Sequence, residues 1–273
     1  MYTNSASLPF RKIYSIDFEY CGADGEIPKI VCMVIQDLRS GEVSRYWRDD
    51  LCKMKTPPFE TGEDVAIVSY FAPAEVQSML ALCWAINVSV IDLFAEFRCQ
   101  TNGDPAVGRK SLVSALQFYG LKQFIPEEKD SMRDLILSGG PWSEAQRSAI
   151  LDYCQQDVIA LGPLLDAMLR RAPWSELQFN QAILRGRYMK AVGAMQHRGI
   201  PIDLDMFDKL NADWEDIKQN LIKNVDAQYG VYVDGRFKEA LFQSYLARGM
   251  IPWPRLDSGR LALDRNTFSN MSK

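Results

Sequence analysis

None of the six cysteines, at positions 21, 32, 52, 83, 99 and 154, forms a CxxC pair, and most lie inside apolar segments. A reduced thiol in that setting is a small hydrophobe, so neither a zinc site nor a disulfide framework is expected. Positive charge is also in short supply. The 31 Lys and Arg against 35 Asp and Glu leave a net charge of −4, and the overall field repels nucleic acid. Any role on nucleic acid must therefore come from a local site, and composition alone favours a small-molecule enzyme. No apolar run approaches the roughly 20 residues that span a bilayer. The first nine residues are polar rather than signal-like, so a cytoplasmic setting with no membrane partner is expected. Internal repeats and low-complexity segments are absent as well, and there is one histidine, His197.

What is present is an ordinary globular composition, 47% hydrophobic and 24% charged, in a chain long enough for one large domain or a domain and a smaller partner. Runs rich in β-branched and aromatic residues predict strands at 12–20, 30–36, 43–47, 65–70 and 88–92. Helical patterning predicts helices at 74–84, 111–119, 131–137 and 143–171. From about Pro173 almost everything is helical in pattern, with long helices at 178–198 and 204–229 separated by Gly199-Ile200-Pro201-Ile202-Asp203. The first three strands, joined by short polar links such as Arg39-Ser40-Gly41-Glu42, predict an antiparallel meander. The next two enclose a helix and predict a crossover. Three meander strands followed by a strand-helix-strand unit make an α/β fold with a mixed sheet in the ribonuclease H-like order. It would occupy 1–172, with a mostly helical extension over 173–273.

Chemistry begins in the first strand, Ile13-Tyr14-Ser15-Ile16-Asp17-Phe18-Glu19-Tyr20. Side chains alternate, so Ser15, Asp17 and Glu19 share one face, and the Asp17 and Glu19 Cα atoms lie roughly 6.5 Å apart. Two carboxylates this close repel, and a hard divalent cation would relieve the repulsion. An edge strand with a solvated acidic face gives the same pattern. In the 143–171 helix, Tyr153 and Asp157 stand at i and i+4 and project together from one face, while Ile150, Val158 and Leu161 supply a core stripe.

Asp17-Phe18-Glu19 resembles the first exonuclease motif, and Tyr153 to Asp157 the third, of the tyrosine branch of the DEDD superfamily, as found in the proofreading domains of family A DNA polymerases. Gly108-Arg109-Lys110-Ser111-Leu112 is similar to the Gly-Arg segment that precedes a helix in that domain. Met195 to Asp203 resembles the segment that opens the polymerase region, and 235–266 the helix-loop region of the thumb. The resemblance implies a metal-dependent 3′ to 5′ exonuclease that uses two Mg²⁺ or Mn²⁺ ions. It implies that Asp17, Glu19 and Asp157 hold the nucleophile-side ion, that Asp17 bridges to the second, and that Tyr153 orients the attacking water. His197 lies 40 residues beyond Asp157, too far along the chain to replace Tyr153 as in the histidine branch. The chain stops before any palm sequence, so no polymerase activity is expected of it.

The middle motif departs from the family pattern of an Asn and then an Asp at the start of the helix after the fourth strand. Here that stretch is Val68-Ser69-Tyr70-Phe71-Ala72-Pro73-Ala74-Glu75. Glu75, at a helix N-terminus that favours an anion, is preferred as the third metal carboxylate, and Asp92 is either an outer support or the alternative ligand. Arg109 is the candidate phosphate contact and Phe94 the candidate surface for the last base. The expected partner is a single-stranded DNA 3′ end, together with the polymerase remainder of a longer chain. An RNA-trimming exonuclease of the ribonuclease D kind and a catalytically silent nucleic-acid clamp are the competing readings.

Overall fold

The computed structural model describes residues 1–271 apart from 24, 103, 106, 109 and 123–128. It divides into two compact units, Met1–Ile200 and Pro201–Lys273.

The first unit is built on β1 (Lys12–Cys21), β2 (Lys29–Asp37) and β3 (Val43–Trp47), the short helix α1 (Arg48–Leu51), β4 (Val65–Ser69), α2 (Ala72–Ala81) and β5 (Ser89–Asp92). The helices α3 (Leu93–Gln100), α4 (Leu112–Phe118), α5 (Lys129–Leu137), α6 (Glu144–Arg171) and α7 (Glu176–Arg198) follow. The five strands form one sheet in the order β3-β2-β1-β4-β5, with β1 antiparallel to β2 and parallel to β4. This is the mixed ribonuclease H-like sheet that the strand order predicts. Alternation in β1 divides the core. Tyr14, Ile16 and Phe18 join Val76, Met79 and Trp84 on the face covered by α2 and α7. Ile13 joins Val68, Leu161 and Leu165 on the face crossed by α6. Helix α6 starts on a reciprocal cap, in which Ser143 accepts from Gln146 N and Gln146 accepts from Ser143 N.

The compact unit runs through α7 to Ile200, and the sequence division at 172/173 falls between α6 and α7. Two glycines explain why α7 stays with the sheet. A Cβ at Gly186 would lie 1.8 Å from the Val90 carbonyl oxygen, and one at Gly193 would lie 2.7 Å from Val76 Cβ. The helix therefore lies flush on β5 and α2, closer than any side chain allows. Arg185 adds a two-pronged ion pair to buried Glu96 of α3, at 2.6 and 2.8 Å.

The second unit comprises α8 (Leu204–Tyr229), the hairpin of β6 (Tyr232–Val233) and β7 (Arg236–Phe237), α9 (Glu239–Arg248) and α10 (Arg265–Met271). Asp203 caps α8 by accepting from Met206 N at 3.0 Å, and Gly230 ends it in the left-handed conformation. A small aromatic core forms around Phe242, whose ring meets Trp253 edge-on at 4.9 Å. Among the described residues, no helix is long and apolar enough to cross a membrane.

Candidate active site

Strand β4 pairs with β1 only from Lys12 to Ser15. Residues 16–19 of β1 therefore run past this pairing, at the C-terminal end of two parallel strands, where α/β sheets commonly hold their ligands. Phe18 sits in this stretch between the two carboxylates, and its backbone N–H partly offsets the rise in the Glu75 carboxyl, which projects from the first turn of α2. Glu75 thus lies within reach of the charges of Asp17 and Glu19. It is only 2% exposed, and its Oε2 has no hydrogen-bond partner among the described residues. Burial, then the charges of Asp17 and Glu19, push its carboxyl well above the usual range.

Helix α6 closes the same site from the other face of the sheet. Burial, followed by the charges of Asp157, Glu19 and Asp17, raises the Tyr153 hydroxyl far above an ordinary phenol. Cys154 reaches further in, with Sγ 3.5 Å from the Asp17 carbonyl oxygen and 3.6 Å from Asp17 Oδ2. Ligand atoms of Asp17, Glu19 and Cys154 all lie within 4.8 Å of one another. Asp157 is buried one turn beyond Tyr153. On the rim, Tyr20 feels Glu75, Asp17, Glu19 and the exposed cation Arg133 of α5. A cleft of about 320 Å³ opens there, lined in part by Tyr20, Gln77, Arg133 and Leu137.

The fold thus brings Asp17, Glu19, Glu75 and Tyr153 into electrostatic contact, with Asp157 beside Tyr153. Asp92 is bonded to backbone at the starts of two helices. Its Oδ1 accepts from Ala95 N at 2.7 Å, capping α3, and its Oδ2 accepts from Ala72 N at 2.6 Å, at the start of α2. Both oxygens are engaged by backbone, and burial pushes the carboxyl up to about 6. Phe94 is half-buried, edge-on to Phe71 at 5.3 Å and Tyr70 at 6.0 Å, with the Arg98 guanidinium 5.6 Å from its ring centre. Arg109 lies outside the described residues. Its neighbour Lys110 is turned inward, donating to Thr101 Oγ1 at 3.0 Å and the Val107 carbonyl at 3.2 Å. His197 is in the last turn of α7.

Sequence reasoning missed Cys154 and Arg133. The first signal for Cys154 was its position next to Tyr153, since adjacent helical residues point about 100° apart and both can flank one strand.

No known protein family's profile matches the chain, and no curated protein matches it in sequence. Solved structures do. The POL domain of Pol1 from M. smegmatis, in complex with DNA primer-template and dNTP, superposes with a TM-score of 0.57 at 13% identity, over 97% of this chain and 42% of that one. A nuclease in its apo form matches with a TM-score of 0.49 at 16% identity, over 70% of this chain and 86% of the other. Escherichia coli RNase D, an exoribonuclease, matches with a TM-score of 0.44 at 14% identity, over 100% and 72%. The likeness to the POL domain is one of fold.

Proposed function

We propose that this chain is a metal-dependent 3′ to 5′ exonuclease acting on single-stranded DNA ends, of the kind that proofreads for a family A polymerase. The observation that carries the reading is the cluster of Asp17 and Glu19 at one strand end, with a third carboxylate, Glu75, buried within reach of their charges and Tyr153 beside them. The donor set fits hard divalent cations. Carboxylates are crowded at one strand end, and a buried Glu75 oxygen has no partner among the described residues. Asp17, Glu19, Asp157 and Glu75 would hold Mg²⁺ or Mn²⁺ there. Bound ions would supply Lewis acidity and neutralise the charge that builds on a phosphodiester during hydrolysis.

The protein's own groups do the positioning. Tyr153 keeps its proton at neutral pH, so its hydroxyl orients a water by hydrogen bonding rather than acting as a base. Asp92 holds the start of α2 and with it Glu75. Phe94 and Phe71 offer an aromatic surface to the terminal base, and Arg133 is the cation available to a phosphate at the rim. Arg109 is the second phosphate contact that the resemblance implies. The choice of DNA is supported by the Pol1 likeness, a structure solved with primer-template, and the unit from Pro201 onward would then open a polymerase region.

The test is an incubation of the chain with 5′-labelled single-stranded DNA, 3′-recessed duplex and RNA, in Mg²⁺, Mn²⁺ or EDTA, with products resolved by length. A ladder of single-nucleotide shortening on DNA that vanishes in EDTA is expected. Preferential trimming of RNA would move the protein to the ribonuclease D reading. Internal cuts, or no cleavage with any ion, would reject the exonuclease reading.

A further inference from the structure

Helix α8 is 26 residues long and none of them is buried. Phe207, Leu210, Trp214, Ile217 and Leu221 follow one another at intervals of three and four, so they form one apolar stripe, and each is between 37% and 59% exposed. A lone helix in water is marginal, and helices in proteins draw most of their stability from packing such a face. The same unit carries a second apolar feature, an open cavity of about 590 Å³. Phe242 and Trp253 form its floor, and Phe237, Phe268 and Met271 are exposed at its rim. The two features carry opposite charge. Between Leu204 and Leu221 five carboxylates stand against two lysines, whereas from Val231 to Met271 six Arg and Lys stand against four Asp and Glu. The stripe of one chain cannot reach its own cavity. Val225 and Tyr229 of α8 already line that cavity, and at 1.5 Å per residue Phe207 and Ile217 lie about 27 and 12 Å from Val225 along a straight rod.

We propose that a second copy of this chain covers both features: two copies exchange α8 about a two-fold axis, each laying Leu210, Trp214 and Ile217 into the aromatic cavity of the other. The exchange covers both stripes and both cavities and closes on itself, whereas head-to-tail stacking leaves one of each uncovered. Asp213 and Asp216, which flank the stripe, then face a rim whose neighbours in sequence include Arg236, Lys238 and Arg265. This complementarity favours the exchange over pairing of stripe against stripe, in which the excess negative charge of two α8 helices would meet. None of these residues belongs to the carboxylate site, so the nuclease reading stands or falls separately.

The test is sedimentation equilibrium of the full chain at about 1 to 100 µM, which should show the mass of two chains, with association weakening as salt screens the complementary charges. Leu210→Asp combined with Trp214→Asp should abolish the dimer, as should Phe268→Asp or Met271→Asp in the cavity rim. All four side chains are exposed, so the circular dichroism of these variants should match the parent, and either rim variant suffices if the other folds poorly. Mixing the stripe variant with a rim variant should restore a two-chain species, because one intact stripe and one intact cavity remain between them. A parent that stays monomeric across the range overturns the inference. A dimer that survives the stripe variant, or that survives the rim variants and so pairs stripe against stripe, overturns it too. So does a mixture of the two kinds of variant that remains monomeric.

Discussion

The carboxylate of Asp92 accepts a hydrogen bond from the backbone N–H of Ala72 at 2.6 Å. This bond ties the end of β5 to the first turn of α2, three residues before Glu75. The residue before it, Phe71, is in the left-handed region at φ 77°, which costs a bulky side chain about 1–2 kcal/mol. Asp92 thus works as a clamp that holds a strained turn in the shape that presents Glu75 to Asp17 and Glu19.

Exchange of each acid for its amide should separate the clamp from the ligand. Glu75→Gln keeps size but removes charge, so turnover should fall roughly tenfold or more and the metal requirement should shift, while the metal-free fold gains stability. Asp92→Asn leaves one oxygen for two N–H donors, so stability should fall by about 1–2 kcal/mol, with a smaller loss of turnover. Urea unfolding and oligonucleotide digestion read both. The opposite pattern, a dead Asp92→Asn beside a near-normal Glu75→Gln, would make Asp92 the ligand.

Asp17→Ala and Asp157→Ala should each lower the rate by several orders of magnitude. Their unfolding midpoints in chelator should hold or rise, because removing one of several crowded carboxylates relieves repulsion. A variant within a fewfold of wild-type activity would show that its residue is not part of the site.

Stability measured in chelator should fall as pH rises from about 4 to about 6. Burial pushes the Asp92 carboxyl up to about 6 in the folded state, whereas the unfolded group titrates near 3.9. The folded state therefore binds more protons across that window and pays for ionisation above it, by roughly 3 kcal/mol at most. Glu75, raised further, acts in the same direction. Asp92→Asn should start lower at pH 4 and show a flatter profile, and an unchanged slope would show that Asp92 titrates normally.

Gly186→Ala tests whether α7 belongs to the sheet-bearing unit. Helix propensity alone predicts a gain of about 1 kcal/mol, but the added Cβ would meet the Val90 carbonyl at 1.8 Å. Overpacking should win, with a loss of about 3 kcal/mol or more in urea unfolding. A stabilised variant would detach α7 from β5.

Features fixed by local chemistry were legible in the sequence. The span of β3 at Val43–Trp47 came from its β-branched and aromatic content, and that of α8 at Leu204–Tyr229 from helical patterning. The α/β order and the shared face of Asp17 and Glu19 followed from strand periodicity. Features set by contacts distant in sequence were not legible. Helix α3 begins immediately after β5, and the Asp92 that ends the strand is also its cap, a double role that depends on where the two elements meet. Likewise, two glycines in a helical pattern gave no sign of how closely α7 approaches β5 and α2. The left-handed turn at Phe71 was hidden too, because a bulky aromatic rarely adopts that conformation and does not advertise it.

The measurement closest to the central claim is an anomalous difference map from crystals of the chain soaked with Mn²⁺ and a short single-stranded DNA. The account predicts manganese peaks within coordination distance of Asp17, Glu19 and Asp157, one of them reached by Glu75 directly or through water, with the DNA 3′ end beside them. Manganese absent from this cluster, or a 3′ end bound elsewhere on the protein, would contradict it.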